Sequence, residues 1–127
     1  MKFHIDVSTT NRYCYLTAIS DKTNNHIGKA CIDLDSEDAN RYKTLNKRAV
    51  KVILVWTAES SCNQGIGTAL MNKIIELFNN DIIYLNVIPI RNTKFDKNKN
   101  GLIEFYSKFG FKRYEKDICV TTMILIK

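Results

Sequence analysis

The sequence predicts an α/β fold, a mixed and mostly antiparallel central sheet flanked by helices. Three observations predict it. Near the start, three strand-like runs follow one another with only polar turns between them, as strands joined by hairpins do. Next, an almost unbroken apolar run from Arg48 to Ala58 passes through a turn with two glycines into a helical stripe, Ile66 to Asn79. Last, a second apolar run, a short helix and a pair of strand-like segments complete the chain.

Taken in order, Lys2 to Val7 alternates Phe3, Ile5 and Val7 against polar residues, which buries one face of a strand. Ser8-Thr9-Thr10-Asn11 reads as a turn, and Arg12 to Ser20 as a second strand rich in Tyr, Leu, Thr and Ile. Asp21 to Asn25 is another polar turn, and His26 to Leu34 a third strand. Ser36 to Lys47 supports two readings. Ser36 can cap a short helix with Glu37 and Asp38 in its first turn, or the stretch is a loop.

The run Arg48 to Ala58 is apolar enough for a strand covered on both faces. Trp56 within it is expected in the core, the other reading being an aromatic face lining a cleft. On the following helix, Ile66, Leu70, Ile74, Leu77 and Phe78 fall near helical spacing and form the stripe that packs on the sheet. Ile82 to Ile88 is the next strand, and Pro89 ends its hydrogen bonding. Arg91 to Asn100 is a long lysine-bearing loop. Gly101 to Phe109 is a short helix carrying Leu102, Phe105 and Tyr106, and Gly110 fits its C-terminal turn. Phe111 to Tyr114 and Val120 to Ile126 close the sheet as a strand pair. One domain over residues 1–127 is expected, without repeats or low-complexity tracts.

At 127 residues and 45% hydrophobic, the chain is long and apolar enough for a core of its own. Met1-Lys2-Phe3-His4 begins no signal peptide, and no stretch approaches membrane-spanning length, so no membrane partner is expected. Cys14, Cys31, Cys62 and Cys119 are scattered, without a Cys-x-x-Cys pair. They read as reduced, buried small hydrophobes of a cytoplasmic protein. Together with only two histidines they supply no metal set. Eight positive against three negative side chains between Arg91 and Lys116 place +5 of the formal +6 in that segment. Such a run is ordinarily a solvated face, and it also attracts an anionic ligand.

Two patches carry chemistry. A glycine-containing turn between strand and helix leaves backbone N–H groups unpaired where an anion can approach, and the helix dipole adds to the attraction. Here that turn is Cys62-Asn63-Gln64-Gly65-Ile66-Gly67-Thr68-Ala69-Leu70. It is no P-loop, because no Gly-Lys-Ser/Thr closes it, and it lacks the third glycine of a dinucleotide fingerprint. The second patch is Tyr106-Ser107-Lys108-Phe109-Gly110-Phe111, at the end of the later helix.

Together they resemble the GNAT superfamily of acyl-coenzyme A-dependent N-acetyltransferases. Its pyrophosphate loop reads Gln/Arg-x-x-Gly-x-Gly/Ala, commonly followed by x-x-Leu, and its later motif reads Tyr-x-x-x-Gly-Phe. The resemblance covers the second half of the chain well and the first half in outline. It implies acetyl-coenzyme A as cosubstrate, bound at Cys62, Asn63, Gln64, Gly65, Ile66, Gly67 and Thr68, with Cys62 standing where the family has Gln or Arg. The Thr68 hydroxyl serves either the anion or the helix cap. Asn92, Asn98 and Asn100 compete for the family's coenzyme-contacting asparagine. In the family the strands before and after the loop splay apart and the pantetheine arm lies between them, so backbone near Val55, Trp56 and Thr57 would polarise the acetyl carbonyl. Tyr106 would protonate the leaving thiolate, the other reading being a core tyrosine on an amphipathic helix. Glu59, at the end of the central strand, is the candidate base, and a solvated turn residue is the plain alternative. Cys62 lacks a histidine placed to make it a nucleophile.

The implied reaction is direct attack of a primary amine on acetyl-coenzyme A, with a small molecule or a protein as acceptor. The family's two helices between first and second strands, which often wall the acceptor site, are replaced here by a few turn residues. An open site of this kind invites a second subunit to complete it, giving a homodimer. Two other classes of function compete. One is a binding or regulatory module that keeps the fold without turnover. The other is a nucleic-acid binder using the basic segment, where Phe95, Tyr106, Phe109 and Phe111 interleave but mostly face the core; its signature would be steep salt dependence.

Overall fold

The structure is a computed structural model that describes residues 2–58, 61, 64–87, 99–114 and 121–126. Strands β1 (Phe3–Thr9), β2 (Tyr13–Ser20) and β3 (His26–Asp33) come first, followed by a single 3-10 turn at Ala39–Arg41. Then come β4 (Ala49–Thr57), helix α1 (Ile66–Leu77), β5 (Ile82–Asn86), helix α2 (Lys99–Ser107), β6 (Lys112–Arg113) and β7 (Thr122–Leu125). They form one seven-stranded sheet in the order β1-β2-β3-β4-β5-β7-β6. Every neighbouring pair is antiparallel except β4 and β5, which run parallel and are linked through α1. The expected mixed, mostly antiparallel sheet is therefore present. β1 and β2 meet directly through the turn at Thr10–Arg12, with no helix between them.

Helix α1 buries Ile66, Leu70, Met71 and Ile74 on one face of the sheet, against Leu16, Ala18, Ala30, Ile32, Val50, Val52, Ile83 and Leu85. Burying each large aliphatic side chain contributes about 1.5–3 kcal/mol, which fixes the helix on the sheet. Leu77 departs from the expected stripe. It stays 41% exposed in the last turn, while Met71 and Phe78 close the contact. Gly28 on β3 lets the helix start approach closely: a Cβ there would lie 2.6 Å from Ile66 Cγ2 and 3.2 Å from the Trp56 carbonyl oxygen.

The opposite face of the sheet is covered only in part. Tyr42 stacks on Tyr84 with ring centroids 4.3 Å apart and meets Tyr114 edge-on at 5.0 Å. With Ala49 and Ile82 they make a second, smaller core. The Ser36 to Lys47 stretch thus folds as a 3-10 turn packed on the sheet rather than as a capped α-helix. Ser36 Oγ donates to the Asp38 carboxylate at 2.7 Å, so the hydroxyl caps nothing. Beyond this small core no described element covers the face. Tyr15, Leu54 and Trp56 are 41%, 38% and 41% exposed. Two expectations are corrected here: β4 is covered on both faces only at its start, and Trp56 is not a core residue. The reason is the direct β1–β2 hairpin, since no helix between those strands lies over their outer face. Among the described residues, no helix is long and apolar enough to cross a membrane.

Candidate active site

β4 and β5 pair only from Ala49–Ile82 to Val52–Leu85. β4 then continues to Thr57, bonded among the described residues to β3 alone. The two parallel strands part beyond Val52 and leave a fork. A register shift between Cys31 and Ile32 leaves Ile53 without a partner on β3 at the same level, which bends the strand where the fork begins.

Hydrogen-bond alternation says which backbone groups look into the fork. The Ala58 N–H donates to the Ile27 carbonyl at 2.9 Å, so Trp56 and Leu54, in step with Ala58, turn their N–H and C=O toward β3. Val55 and Thr57 turn theirs to the open side. Of the three backbone positions expected to polarise a carbonyl, two therefore face the fork and Trp56 does not. On the other arm, the Val87 N–H donates to the Thr121 carbonyl at 2.7 Å. By the same alternation Asn86 turns its N–H and C=O away from β7 and into the fork. Asn86 was not anticipated. The only signal in the sequence is a polar residue near the end of an otherwise apolar strand.

Helix α1 starts at the mouth of the fork. Gly65 is its N-cap residue, at φ 78°, a left-handed conformation that glycine adopts without strain. No side chain caps the helix, and its first α-helical bond is Ala69 N–H to Gly65 C=O at 2.9 Å. The amides of Ile66, Gly67 and Thr68 are thus the orphan donors of the helix start, at the positive end of the helix dipole. An added Cβ at Gly65 would meet nothing within 4 Å, so the approach to these amides is open. At Gly67, an added Cβ would lie 3.6 Å from Phe105 Cζ and 3.9 Å from Thr57 Oγ1. The end of β4, the start of α1 and helix α2 converge there.

Tyr106 follows Phe105 on α2. Its ring is half-buried against the main core, edge-on to Phe105 at 5.2 Å and to Phe111 at 6.1 Å. Burial alone pushes its phenol above the ordinary value of 10, so the proton is held firmly at neutral pH. Gly110 ends this helical segment at φ 96°, as its place after the last turn requires. Gln64 and Thr68 are exposed at the start of α1, and Asn100 is exposed in the first turn of α2 rather than in a loop. Glu59, Cys62, Asn63, Asn92 and Asn98 lie outside the described residues, as does Pro89 and much of the basic segment.

Below the fork, on the face opposite α1, a polar cluster closes the base of the sheet. Asp38 accepts hydrogen bonds from Tyr84 Oη at 2.6 Å, Ser36 Oγ at 2.7 Å and Lys51 Nζ at 3.3 Å. Burial would raise the Asp38 carboxyl, but the donors from Ser36 and Tyr84 and the Lys51 ammonium outweigh it and hold it below its ordinary range. Asp38 is therefore an anion and a weak base. A separate cavity of about 660 Å³ lies beside the β2–β3 turn, lined by Lys2, Lys22, Ile27 and Ser61 among others. None of the expected site residues among those described lines it.

A family model described as an acetyltransferase (GNAT) domain matches residues 11–113. The chain belongs to this acetyltransferase family. A curated relative, the probable N-acetyltransferase san of Drosophila melanogaster, is 29% identical over 115 residues, 87% of this chain and 53% of the relative. The chain spans about half the length of that relative. Among solved structures, the PaiA N-acetyltransferase of Thermoplasma acidophilum in complex with coenzyme A aligns at TM-score 0.60 and 17% identity, over 90% or more of this chain (91%) and 62% of that one. Arabidopsis thaliana NAA60 in complex with acetyl-CoA aligns at TM-score 0.63 and 15% identity, over 91% of this chain and 77% of that one. At such identities these structures show the GNAT fold alone.

Proposed function

We propose that residues 1–127 form a single GNAT N-acetyltransferase domain that moves an acetyl group from acetyl-coenzyme A to a primary amine, a small molecule or a protein. The observation that carries this reading is the fork between β4 and β5 with the uncapped start of α1 at its mouth. Family membership and two fold neighbours solved with coenzyme A or acetyl-CoA support it. The residues fit such a cosubstrate. Orphan amides at Ile66, Gly67 and Thr68 suit a pyrophosphate. The backbone edges of Val55, Thr57 and Asn86 suit an extended amide-bearing arm, as an added strand would.

The chemistry asks for positioning and for a donor to developing charge. The amine nitrogen attacks the thioester carbonyl carbon, and a backbone N–H of Val55 or Thr57 stabilises the oxyanion. As the carbon–sulfur bond breaks, the Tyr106 phenol gives its proton to the leaving thiolate. The amine proton passes to water or to Glu59. Asp38 is a poor candidate for that base, because its donors hold it below the ordinary carboxylate range and make it a weak proton acceptor. The acceptor approaches over the open face, where Trp56 and Tyr15 offer aromatic surface to a cation. The buried free thiols Cys14 and Cys31 support the cytoplasmic location expected for the chain.

Calorimetric titration with acetyl-coenzyme A and with coenzyme A, on wild type and on Gly65→Glu, tests the site. Binding by wild type that is lost in the variant supports it, because the new carboxylate repels the pyrophosphate at the helix start. Free-thiol release in a screen of primary amines then tests turnover. Binding without thiol release for any amine would leave a coenzyme-binding module, and no binding by folded wild type would reject the site.

A further inference from the structure

The two edges of the sheet are unlike. β6 is two residues long and carries Lys112 and Arg113, both exposed, the usual means of keeping an edge from pairing. β1 at the other edge runs seven residues, pairs with β2 without a bulge and contains no proline. Asp21 N–H donates to the Lys2 carbonyl and Thr10 N–H to the Tyr13 carbonyl, so the even-numbered residues of β1 spend their backbone groups on β2. Phe3, Ile5, Val7 and Thr9 turn their N–H and C=O outward to an edge that no described strand occupies. Val7 is 41% exposed there.

We infer that this edge pairs with the β1 edge of a second copy of the chain, antiparallel about a twofold axis at Ile5. The sequence of the edge favours that partner and that register. A dyad at Ile5 sets Ile5 against the second copy's Ile5, and Phe3 against its Val7. These are outward-facing residues, and each such pair exchanges two N–H···O=C bonds. Between them His4 falls opposite the second copy's Asp6, and Asp6 opposite its His4, in the closer non-hydrogen-bonded positions. Moving the axis to His4 sets His4 against His4, and moving it to Asp6 sets Asp6 against Asp6. Like charges directly opposite disfavour the Asp6 axis, while the His4 axis brings Lys2 opposite Asp6 but sets the two imidazoles against each other. In the single chain, His4 Nδ1 lies 2.6 Å from Asp21 Oδ1 and its Nε2 3.7 Å from Asp6 Oδ1, so the ring is already held beside the edge. The interface is isologous and closes at two copies, extending one sheet through both. With β2 and β3 between it and β4, the edge is remote from the fork, and association stands independently of the acetyl-transfer reading.

Sedimentation equilibrium on the chain tests this. Wild type is expected to approach twice the 14.7 kDa chain mass at tens of micromolar. Val7→Pro removes an outward N–H without touching the β2 ladder and should be monomeric. His4→Glu and Asp6→Lys each set like charges across the dyad and should weaken self-association about tenfold or more. Mixed together, these two variants place opposite charges at both positions and should recover a dimer. If His4→Glu does not fold, Val7→Pro and Asp6→Lys still decide. A monomeric wild type at about 0.5 mM, well above the range of specific dimers, would overturn the inference. So would a Val7→Pro dimer as tight as wild type, or mixed charge variants that stay monomeric.

Discussion

Replacing Gly28 by alanine adds one methyl group and should loosen both the fold and the cosubstrate site. The new Cβ would stand 2.6 Å from Ile66 Cγ2, where ordinary contact begins near 3.4 Å. Ile66 is 1% exposed within the core, and the Trp56 carbonyl oxygen at 3.2 Å is backbone. The first turn of α1 must therefore lift from β3 by most of an ångström. Overpacking of this kind costs about 1–3 kcal/mol. For a chain of this length the melting temperature should fall by roughly 4–12 °C. Urea unfolding at unchanged m-value measures the loss. Because the lifted turn carries the Ile66, Gly67 and Thr68 amides, affinity for acetyl-coenzyme A should fall with it, by about tenfold for a loss near 1.4 kcal/mol. Ile66→Ala removes the clashing methyl, so the double variant should be less destabilised than the sum of the singles by about 1 kcal/mol or more. A Gly28→Ala protein as stable as wild type, with additive effects in the double variant, would refute this account of how β3 seats the helix.

Three further outcomes are expected. Tyr106→Phe should lower kcat by about 10²-fold with little change in coenzyme affinity, as loss of a general acid does. Burial raises the phenol, so wild-type activity should show no loss of this acid until above pH 10, and an unchanged kcat in the variant would assign Tyr106 to packing alone. Trp56→Ala should cost about 1–2 kcal/mol of stability by denaturation, less than the ~3–5 of a fully buried aromatic, because Trp56 is 41% exposed. Asp38 is held below its ordinary 3.8, so its contribution to stability is complete above that value and is lost as pH falls through its lower folded value. Asp38→Asn should thus be less stable than wild type near neutrality and fall less steeply on acidification below about pH 4, measured by thermal unfolding across pH.

Much of the fold was legible because its signals are local. The alternation of Phe3, Ile5 and Val7, the apolar run into β4 and the i, i+4 series Ile66, Leu70, Ile74 each follow from one element burying one face. The absence of helices between the first two strands was equally plain, since four turn residues leave no room for them. The site was legible only where a residue type is tied to a backbone need. Gly65 is such a residue, required at φ 78° where the helix opens. Gly28 gave a fainter signal of the same kind, a lone glycine within a strand, which marks close approach of another element. Asn86 gave almost none, because its part is played by backbone atoms that any residue possesses.

By itself, then, the chain's sequence determined which segments become strands and helices, and where a helix would start uncapped beside a glycine. Periodicity and turn chemistry carry that information along the chain. Tertiary structure alone decided where β4 and β5 stop pairing, because strand separation depends on what each strand's other neighbour offers. It also decided that Val55, Thr57 and Asn86 look into the fork while Trp56 turns its amide to β3, since that alternation is set by register and not by residue type. And it left Trp56 exposed. An apolar run reads as buried on both faces, but burial needs a covering layer, and the segment that would have covered that face is a hairpin turn.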